Sequence, residues 1–363
     1  MTREGLLPDK DGQESTGKME KYLVTGGAGF IGSHIVERLL KEGHFVRVLD
    51  NFSSGKKENL DFALSLRAPE GRSNLNQFEL IRGDIRDAAT CLKATTGIDY
   101  ILHQAALRSV PKSMTMPHEY NAVNIDGTVN ILEAALKNKV KRVVIASSSS
   151  VYGDAVKFPE KETDTPLLIS PYALTKLAGE YYSRVFSENY GLETVNLRYF
   201  NVFGPRQSLD DEYAVVIPKF ITCMLNDEQP PIHGTGKQSR DFTYIDNVVD
   251  ANIFAATVQT PVIASEGRVI ASPEGAKQSH KTFCEVFNVA CGSDNTILGL
   301  VDTLNKITGK RIKPKFGPIR QGDVFRTLAD ISKIKSMLGF TPKVGFEEGL
   351  KKTLEWFKNK DKK

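Results

Sequence analysis

The chain has 363 residues, of which 40% are hydrophobic and 25% charged, the composition of an ordinary globular protein. Its 48 basic and 44 acidic residues leave a formal charge of +4, which is too even to indicate a nucleic-acid or membrane surface. The four cysteines form no CxxC pair and have no histidine at metal-ligand spacing, so they indicate neither a zinc site nor a disulfide framework. A reducing, cytoplasmic location fits these features.

Residues 1–18 are polar and contain no apolar run of signal-peptide length. We therefore interpret them as a flexible leader, with Met19 as an alternative start. No later stretch offers about 18 uninterrupted apolar residues, so no membrane span is expected.

From Lys21 onward, short apolar runs alternate with helix-length amphipathic stretches. The runs KYLVT, FVRVLD, FELIRGD, YILHQAA, RVVIASS and TVNLRYFN are rich in Val, Ile, Leu and aromatic residues, which is typical of buried parallel strands. Between them, SHIVERLLKEG and NIDGTVNILEAALKNK have helical spacing of apolar residues. This alternation predicts an α/β fold with a Rossmann-type, doubly wound parallel sheet over residues 19–200.

The rhythm breaks after Asn201, where Gly-Pro, Pro-Pro and Gly-Thr-Gly sequences punctuate an irregular region. We expect a smaller C-terminal, substrate-binding lobe over 201–240 and 292–363, with 241–260 and 284–291 contributing to the sheet domain. The stretch 259–281 is rich in Gly, Pro, Ser and charge, which places a surface loop at 261–283.

The motif TGGAGFIG, Thr25 to Gly32, follows a predicted strand and precedes a predicted helix. In this context the glycines indicate a dinucleotide site: Gly27 for the tight turn, Gly29 for approach of a pyrophosphate and Gly32 for helix packing. Asp50 ends the next strand, where its carboxylate can accept hydrogen bonds from ribose hydroxyls and would repel a 2′-phosphate. The predicted cofactor is therefore NAD rather than NADP.

The segment SPYALTK, residues 170–176, combines a good N-cap with proline at the first helical position. Tyr172 and Lys176 then lie side by side on one helix face. A tyrosine has a reference pKa near 10, so a nearby cation is needed for it to act as a base. Lys176 could supply that charge, while a serine of SSSSVYGD, at the end of the preceding strand, hydrogen-bonds the substrate oxygen.

Taken together, TGGAGFIG, GDIRD, HQAA, SSSSVYG, SPYALTK and LRYFNVFG resemble the extended short-chain dehydrogenases/reductases, and specifically their UDP-sugar 4-epimerases. RYFNVFGPRQ, YAVVIPKF, SRDFTYIDN and GDVFRTLADISK resemble most the bacterial UDP-N-acetylglucosamine 4-epimerases. The resemblance implies that Tyr172 takes the 4-hydroxyl proton while NAD takes the C4 hydride. The resulting 4-keto sugar turns over and regains the hydride on its other face, which inverts C4.

The resemblance also assigns site residues. It implies that Ser148, Tyr172 and Lys176 are catalytic. The implied cofactor-binding residues are Gly26, Gly29, Phe30, Ile31, Gly32, Asp50, Asn51, Asp84, Ile85, Gln104, Ala105, Ala106, Asn124, Tyr172, Lys176 and Tyr199. The implied substrate-binding residues, with Arg240 and Arg320 on the diphosphate and Asp323 on the uridine ribose, are Arg108, Ser109, Ser148, Ser149, Ser150, Tyr172, Asn201, Val215, Val216, Ile217, Lys219, Ile232, Arg240, Arg320, Asp323 and Thr327.

Three positions bear on the choice of sugar. Thr327 stands where this family places a bulky tyrosine to exclude N-acetyl groups or a small residue to admit them, so it favours UDP-N-acetylglucosamine and UDP-N-acetylgalactosamine. Arg108 replaces a glycine and Val215 an alanine of the N-acetyl-type pattern. A cation at position 108 could instead favour a C6 carboxylate, so UDP-glucuronate and UDP-glucose remain alternatives.

The same motifs disfavour two other functions. Related 4,6-dehydratases need an acid where Ser149 and Ser150 stand, which disfavours dehydration. A non-catalytic NAD-binding sensor is disfavoured by the intact Tyr172 and Lys176. The resemblance further suggests a homodimer formed through helices at about 115–138 and 172–190, and it suggests no nucleic-acid or membrane partner.

Overall fold

The computed structural model describes residues 18–65, 77–209, 216–258, 282–319 and 324–360. Most of the predicted leader, most of the predicted 261–283 loop, and Val215, Arg320 and Asp323 lie outside these ranges. Within them, no helix is both long and apolar enough to cross a membrane.

The first half of the chain alternates strands and helices. In order it contains β1 (Lys21–Thr25), α1 (Phe30–Lys41), β2 (Phe45–Asp50), α2 (Asp61–Ser65), β3 (Phe78–Arg82), α3 (Ala88–Thr95), β4 (Tyr100–His103), α4 (Val110–Thr115), α5 (Pro117–Asn121), α6 (Gly127–Lys137), β5 (Arg142–Ser148), α7 (Pro171–Tyr190) and β6 (Glu193–Tyr199). A π-helical turn over Ala122–Asp126 joins α5 to α6, and 3-10 turns cover Lys57–Leu60 and Ser149–Tyr152.

The second half has shorter elements: β7 (Val202–Phe203), α8 (Val216–Leu225), β8 (Pro231–His233), β9 (Ser239–Arg240), β10 (Thr243–Tyr244), α9 (Ile245–Thr257), β11 (Cys284–Val289), β12 (Asn295–Thr296), α10 (Ile297–Thr308), β13 (Lys315–Gly317), α11 (Ser332–Leu338) and α12 (Phe346–Lys360). Its two-residue and three-residue strands pair as β7 with β10, β9 with β12 and β8 with β13.

Seven strands form one parallel sheet in the order β11-β6-β5-β4-β1-β2-β3. Both faces are covered, because alternate residues of strands β1 to β5 enter different cores: Val24 belongs to the same core as the α1 residue Ile35, and Leu23 to the same core as the α6 residue Ile131. The predicted Rossmann-type α/β fold is therefore confirmed, with the smaller sheets at its C-terminal side. Parallel strands end at one edge, which is where ligands of such sheets bind.

The turn between β1 and α1 corrects one sequence assignment. Gly26, not Gly27, adopts the left-handed conformation, with a φ of +67°. Gly27 is needed for a different reason: a Cβ there would lie 2.8 Å from the methyl carbons of Val48. A Cβ on Gly32 would lie 2.2 Å from the carbonyl oxygen of Gly26, so the helix can begin this close to the turn only with glycine.

A buried carboxyl joins the two halves of the chain. Glu160 is 1% exposed, and its Oε2 accepts a hydrogen bond from the backbone N–H of Leu328 at 2.8 Å. Its main chain exchanges hydrogen bonds with Leu328 and Asp330. Burial raises the pKa of Glu160 to about 7, with the nearby Asp241 acting in the same direction. The segment around Thr327 is thus anchored to the loop that precedes α7.

We expect Gly32→Ala to lower the free energy of unfolding by at least about 2 kcal/mol, because the new methyl must displace backbone rather than a side chain. Urea unfolding measures the change. Gly179→Ala, within α7, is the matched control, since its nearest atom would lie 3.9 Å away. That control should gain up to about 1 kcal/mol. Equal stability of Gly32→Ala and the parent protein would contradict this account of the turn.

A second prediction concerns pH. Between about pH 4.5 and 7 the folded protein holds a proton on Glu160 that the unfolded chain has lost, so this group's contribution to stability declines as the pH rises. Glu160→Gln removes the decline while keeping an acceptor for Leu328. As the pH rises from about 4.5 to 7, the free energy of unfolding of the variant should increase by about 3 kcal/mol relative to that of the parent. Urea unfolding measures this change.

Glu133→Gln, on the exposed surface of α6, controls for the loss of one negative charge. If the difference in the free energy of unfolding between Glu160→Gln and the parent does not change over this pH window, Glu160 is already ionised in the folded protein at the acidic end of the window.

Candidate functional site

A cleft runs along the carboxyl ends of β1, β2, β4 and β5, past the start of α1 and the first two turns of α7. Every residue predicted to bind the cofactor, except Asn124, lines this cleft. They are Gly26, Gly29, Phe30, Ile31, Gly32, Asp50, Asn51, Asp84, Ile85, Gln104, Ala105, Ala106, Tyr172, Lys176 and Tyr199. The substrate candidate Arg108 lines it as well.

At the start of α1, glycine residues leave the main chain uncovered at the wall of the cleft. A Cβ on Gly26 would lie 2.8 Å from the backbone nitrogen of Ala105, so this turn packs directly on the segment that follows β4. Gly29 is the N-cap of α1, and the first N–H groups of the helix follow it. These donors and the positive end of the helix dipole suit an anionic pyrophosphate.

Asp50, at the end of β2, is held rigidly. Its Oδ2 accepts a hydrogen bond from the N–H of Ala28 at 2.9 Å and its Oδ1 one from the N–H of Phe52 at 2.8 Å. Burial raises the pKa of this carboxyl, while those two N–H groups lower it. Each oxygen keeps a lone pair, so the carboxylate can still accept from a ribose diol. The residues present therefore fit a dinucleotide without a 2′-phosphate.

Asp84 and Asn51 face each other across the same end of the cleft. The amide of Asn51 donates to Asp84 at 2.9 Å, and Arg86 forms an ion pair with Asp84 at 2.7 Å. Hydrogen bonding from Arg86 holds the pKa of Asp84 well below its usual range. The carboxylate is therefore a permanent acceptor, suited to an adenine amino group.

Asn124 lies behind the cleft wall. Its side chain accepts from the N–H of Leu107 at 2.8 Å, and donates to the carbonyl of Leu107 at 2.9 Å and to Thr175 at 3.0 Å. It is 3% exposed. The structure thus gives Asn124 the role of holding residue 107 against α7.

Helix α7 presents Tyr172 and Lys176 as its sequence predicts. Ser170 is the N-cap, and its hydroxyl accepts a hydrogen bond from the N–H of Ala173 at 3.2 Å. The Lys176 Nζ lies 5.9 Å from the centre of the Tyr172 ring. Tyr120 packs edge-on against Tyr172, with ring centres 6.4 Å apart, and its hydroxyl accepts from the N–H of Ser109. These contacts fix the phenol at the floor of the cleft.

Lys176 and Arg108 both bear on the electrostatics of the phenol. Lys176 donates to the carbonyl oxygen of Ala146 on β5 at 2.9 Å, because a buried ammonium needs an acceptor. Burial lowers the pKa of Lys176 to about 8. Burial also raises the pKa of Tyr172, and the influences that oppose it are a hydrogen bond with Ser148 and the positive charge of Arg108. Arg108 is thus a second cation that acts on the phenol, in addition to Lys176 beside the ring.

The serine cluster lies where β5 ends. The hydroxyl of Ser148 accepts from the N–H of Ser150 at 3.1 Å, and its influence on Tyr172 opposes the rise in the pKa of that phenol. Ser149 and Ser150 form the 3-10 turn that follows. Among the described residues, nothing partners the buried hydroxyl of Ser150. Ser109, in contrast, uses its side chain as the N-cap of α4.

The remaining substrate candidates lie in the C-terminal half. The Asn201 amide donates to the hydroxyl of Thr327 at 2.9 Å, so these two predicted residues meet. Arg240 donates to the carbonyl of Phe325 at 3.2 Å. On α8, Val216 is half-buried and Lys219 exposed. Ile217 and Ile232 are each 1% exposed, so only their backbone can face a ligand.

Sequence reasoning assigned no role to two arginines that line the cleft. Arg86 lies within GDIRD, and Arg206 within the run RYFNVFGPRQ. Arg206 lies 5.0 Å over the ring of Phe62 and forms an ion pair with Glu37 of α1. Both motifs were recognised, but nothing in their spacing showed which residues approach the cleft.

The chain is similar to a known protein family and to several solved structures. The model of the NAD dependent epimerase/dehydratase family matches residues 22–264. A UDP-N-acetylglucosamine 4-epimerase from Methanobrevibacter ruminantium, solved with UDP-N-acetylmuramic acid, is 39% identical with a TM-score of 0.81, over 94% of this chain and 99% of that one.

Two further structures are similar. A UDP-glucose 4-epimerase from Thermotoga maritima with UDP-glucose is 37% identical with a TM-score of 0.79, over 94% of this chain and 99% of that one. A UDP-glucuronic acid 4-epimerase from Bacillus cereus with UDP-glucuronic acid and NAD is 32% identical with a TM-score of 0.77, over 93% and 99%. The chain therefore belongs to the NAD dependent epimerase/dehydratase family of extended short-chain dehydrogenases/reductases, where it groups with the UDP-sugar 4-epimerases.

Proposed function

We propose that this NAD-dependent isomerase inverts C4 of UDP-N-acetylglucosamine and UDP-N-acetylgalactosamine. The observation that carries the choice of sugar is Thr327. Its side chain is small, and its hydroxyl is held by the Asn201 amide at 2.9 Å and by the N–H of Asp241 at 3.3 Å. By the family pattern, a threonine fixed in this way would leave room beside the sugar that a tyrosine would fill. An acetamido group can use that room.

In this proposal Tyr172 takes the proton of the sugar 4-hydroxyl and later returns it. Ser148, which acts to lower the pKa of Tyr172, stabilises the oxygen that becomes the ketone. When bound, NAD supplies the acceptor and donor of the C4 hydride. Lys176 would hold the ribose beside it, while the positive charge of Arg108 favours the ionised phenol.

Arg240 and the backbone around Ile217 and Ile232 would hold the diphosphate and the uracil. Arg320 and Asp323, outside the described residues, remain candidates for the diphosphate and the uridine ribose.

A second candidate is a uronic acid substrate, and Arg108 is the observation that favours it. This arginine lines the cleft and acts electrostatically on Tyr172. A carboxylate at C6 would find a cation there. No described residue favours UDP-glucose over these two. A non-catalytic sensor is disfavoured because Tyr172 and Lys176 line one cleft and Ser148 ends the adjoining strand β5.

We further infer a homodimer in a cytoplasmic setting. Helix α7 exposes Leu174, Tyr181, Tyr182 and Val185, and α4, which packs against α7, exposes Met114. An apolar strip of this kind on adjacent helices suits a self-complementary interface. The four cysteines are free thiols, which fits a reducing compartment.

We expect Tyr172→Phe to lower kcat by at least about 100-fold while NAD remains bound, because only the proton-transferring hydroxyl is removed. Turnover is followed by resolving the C4 epimers, and bound NAD is quantified after denaturation. Tyr181→Phe is the matched control, as that tyrosine is exposed on the same helix. Full activity of Tyr172→Phe would refute the assigned base.

We expect kcat/KM to be highest for UDP-N-acetylglucosamine when UDP-glucose and UDP-glucuronate are tested beside it. Thr327→Tyr should lower kcat/KM for the acetamido sugar by at least about tenfold relative to UDP-glucose, because the ring fills the space beside the sugar. Thr327→Val, of equal shape, should keep the order of preference.

The outcome that would replace this proposal is a preference for UDP-glucuronate that Arg108→Met abolishes. That result would establish the uronic acid candidate.

A further inference from the structure

An ion pair lies buried directly behind the serine cluster. Glu180 of α7 and Arg198 of β6 are joined by two hydrogen bonds, at 2.9 and 2.7 Å, and the two side chains are only 6% and 4% exposed. Glu180 also accepts a hydrogen bond from the hydroxyl of Ser147 at 2.5 Å. None of the assigned catalytic steps uses this pair.

The position of Glu180 relates it to the catalytic side chains. Tyr172, Lys176 and Glu180 follow one another at intervals of four residues, so they form one stripe on α7. Lys176 is fastened to the carbonyl of Ala146 and Glu180 to the hydroxyl of Ser147. Two consecutive turns of the helix therefore grip two consecutive residues of β5. The next residue of that strand is Ser148.

Arg198, on the neighbouring strand β6, binds the carboxylate of Glu180. It lies opposite Ser147 in the register of β5 and β6. Its Nε and Nη2 are both committed to Glu180, and its guanidinium lies 4.8 Å over the ring of Tyr152 in the turn after Ser148. Burying such a pair carries a large desolvation cost, so its presence is weak evidence for stability. A requirement to hold the groups around Ser148 in a fixed geometry explains the buried pair better.

We propose that Glu180 is a positioning residue, which together with Arg198 fixes Ser148 at the distance from Tyr172 that proton and hydride transfer require. The proposal rests on the catalytic roles proposed above for Ser148, Tyr172 and Lys176. A shift of about 1 Å in such groups can cost about 100-fold in rate. The effect should fall on kcat rather than on substrate binding.

The same two strands provide a matched control. At their amino ends, Arg142 of β5 lies opposite Glu193 of β6 and forms an ion pair with it at 2.7 Å. Arg142 is 5% exposed and Glu193 34% exposed, so this pair is sheltered on one side only, and it lies at the opposite end of the strands from Ser148. Neutralising Glu193 therefore tests how the loss of a β5–β6 ion pair far from Ser148 affects kcat.

The experiment compares Glu180→Gln with Glu193→Gln in the full-length protein, using UDP-N-acetylglucosamine with hydrogen or deuterium at C4. Glu180→Gln should lower kcat about 10- to 100-fold, leave KM within about threefold and raise the isotope effect on kcat, since hydride transfer becomes slower than the other steps. Glu193→Gln should keep kcat within about twofold. Bound NAD and the thermal midpoint are measured for both.

The proposal is overturned if Glu180→Gln loses no more activity than Glu193→Gln, or loses it with an unchanged isotope effect. If Glu180→Gln fails to fold, Ser147→Ala removes only one hydroxyl. It should lower kcat several-fold with a raised isotope effect, and parental kinetics would overturn the proposal. Activity of Tyr172→Phe would instead remove the proposed catalytic roles, so the two failures are distinguishable.

Discussion

The attachment of helix α7 to the end of strand β5 is the constraint on which the site depends. A parallel sheet brings the ends of its strands to one edge, but it does not by itself fix the distance between a strand and the helix that covers it. Here the contacts of Lys176 with Ala146 and of Glu180 with Ser147 set that distance. Ser148, the next residue of β5, is thereby placed where it acts to lower the pKa of Tyr172. Both fastening groups are buried and polar, so neither can shift without losing its partner.

At the cofactor end of the cleft, two carboxylates are held in fixed positions by their hydrogen-bond and ion-pair partners. Asp50 is immobilised by two backbone N–H groups, and Asp84 by Arg86 and Asn51. Two acceptors for a dinucleotide are therefore in place before it binds, and little reorganisation remains. The same geometry disfavours a phosphate on the ribose, because Asp50 cannot move away from it.

Much of the fold was predictable because its signals are local. The strands are short runs of branched and aromatic residues, and α7 begins at a serine and a proline that determine a helix start whatever surrounds them. The glycine motif was equally clear, but the left-handed residue proved to be Gly26 rather than Gly27. Which glycine carries a positive φ depends on how the turn packs against Ala105 and Val48, and that is not encoded within the motif.

What sequence could not show is the set of long-range polar partners. The acceptor of Lys176 lies 30 residues away, and Asn124 faces Leu107 and Thr175 rather than the cleft. Arg86 and Arg206 belong to recognised motifs, yet only the assembled sheet shows that they line the same wall. Pairings of this kind depend on three-dimensional register, which a single sequence with ordinary helix and strand signals leaves open.

The buried contacts behind β5 continue beyond Arg198 and connect the catalytic end to the sugar end. Tyr152, under the Arg198 guanidinium, donates to the Asn288 side chain at 2.7 Å. The amide of Asn288 donates to the carbonyl of Glu160 at 3.0 Å, and the Glu160 carboxyl in turn accepts from Leu328, the residue after Thr327. The chain neighbours of Thr327 and Ser148, which are Leu328 and Ser147, are therefore linked by one series of buried contacts, in which the step from Arg198 to Tyr152 is a cation–π contact. This series helps to keep the proposed sugar pocket and the proposed catalytic hydroxyls at a fixed spacing. A keto sugar that turns over between two hydride transfers needs that spacing on both of its faces.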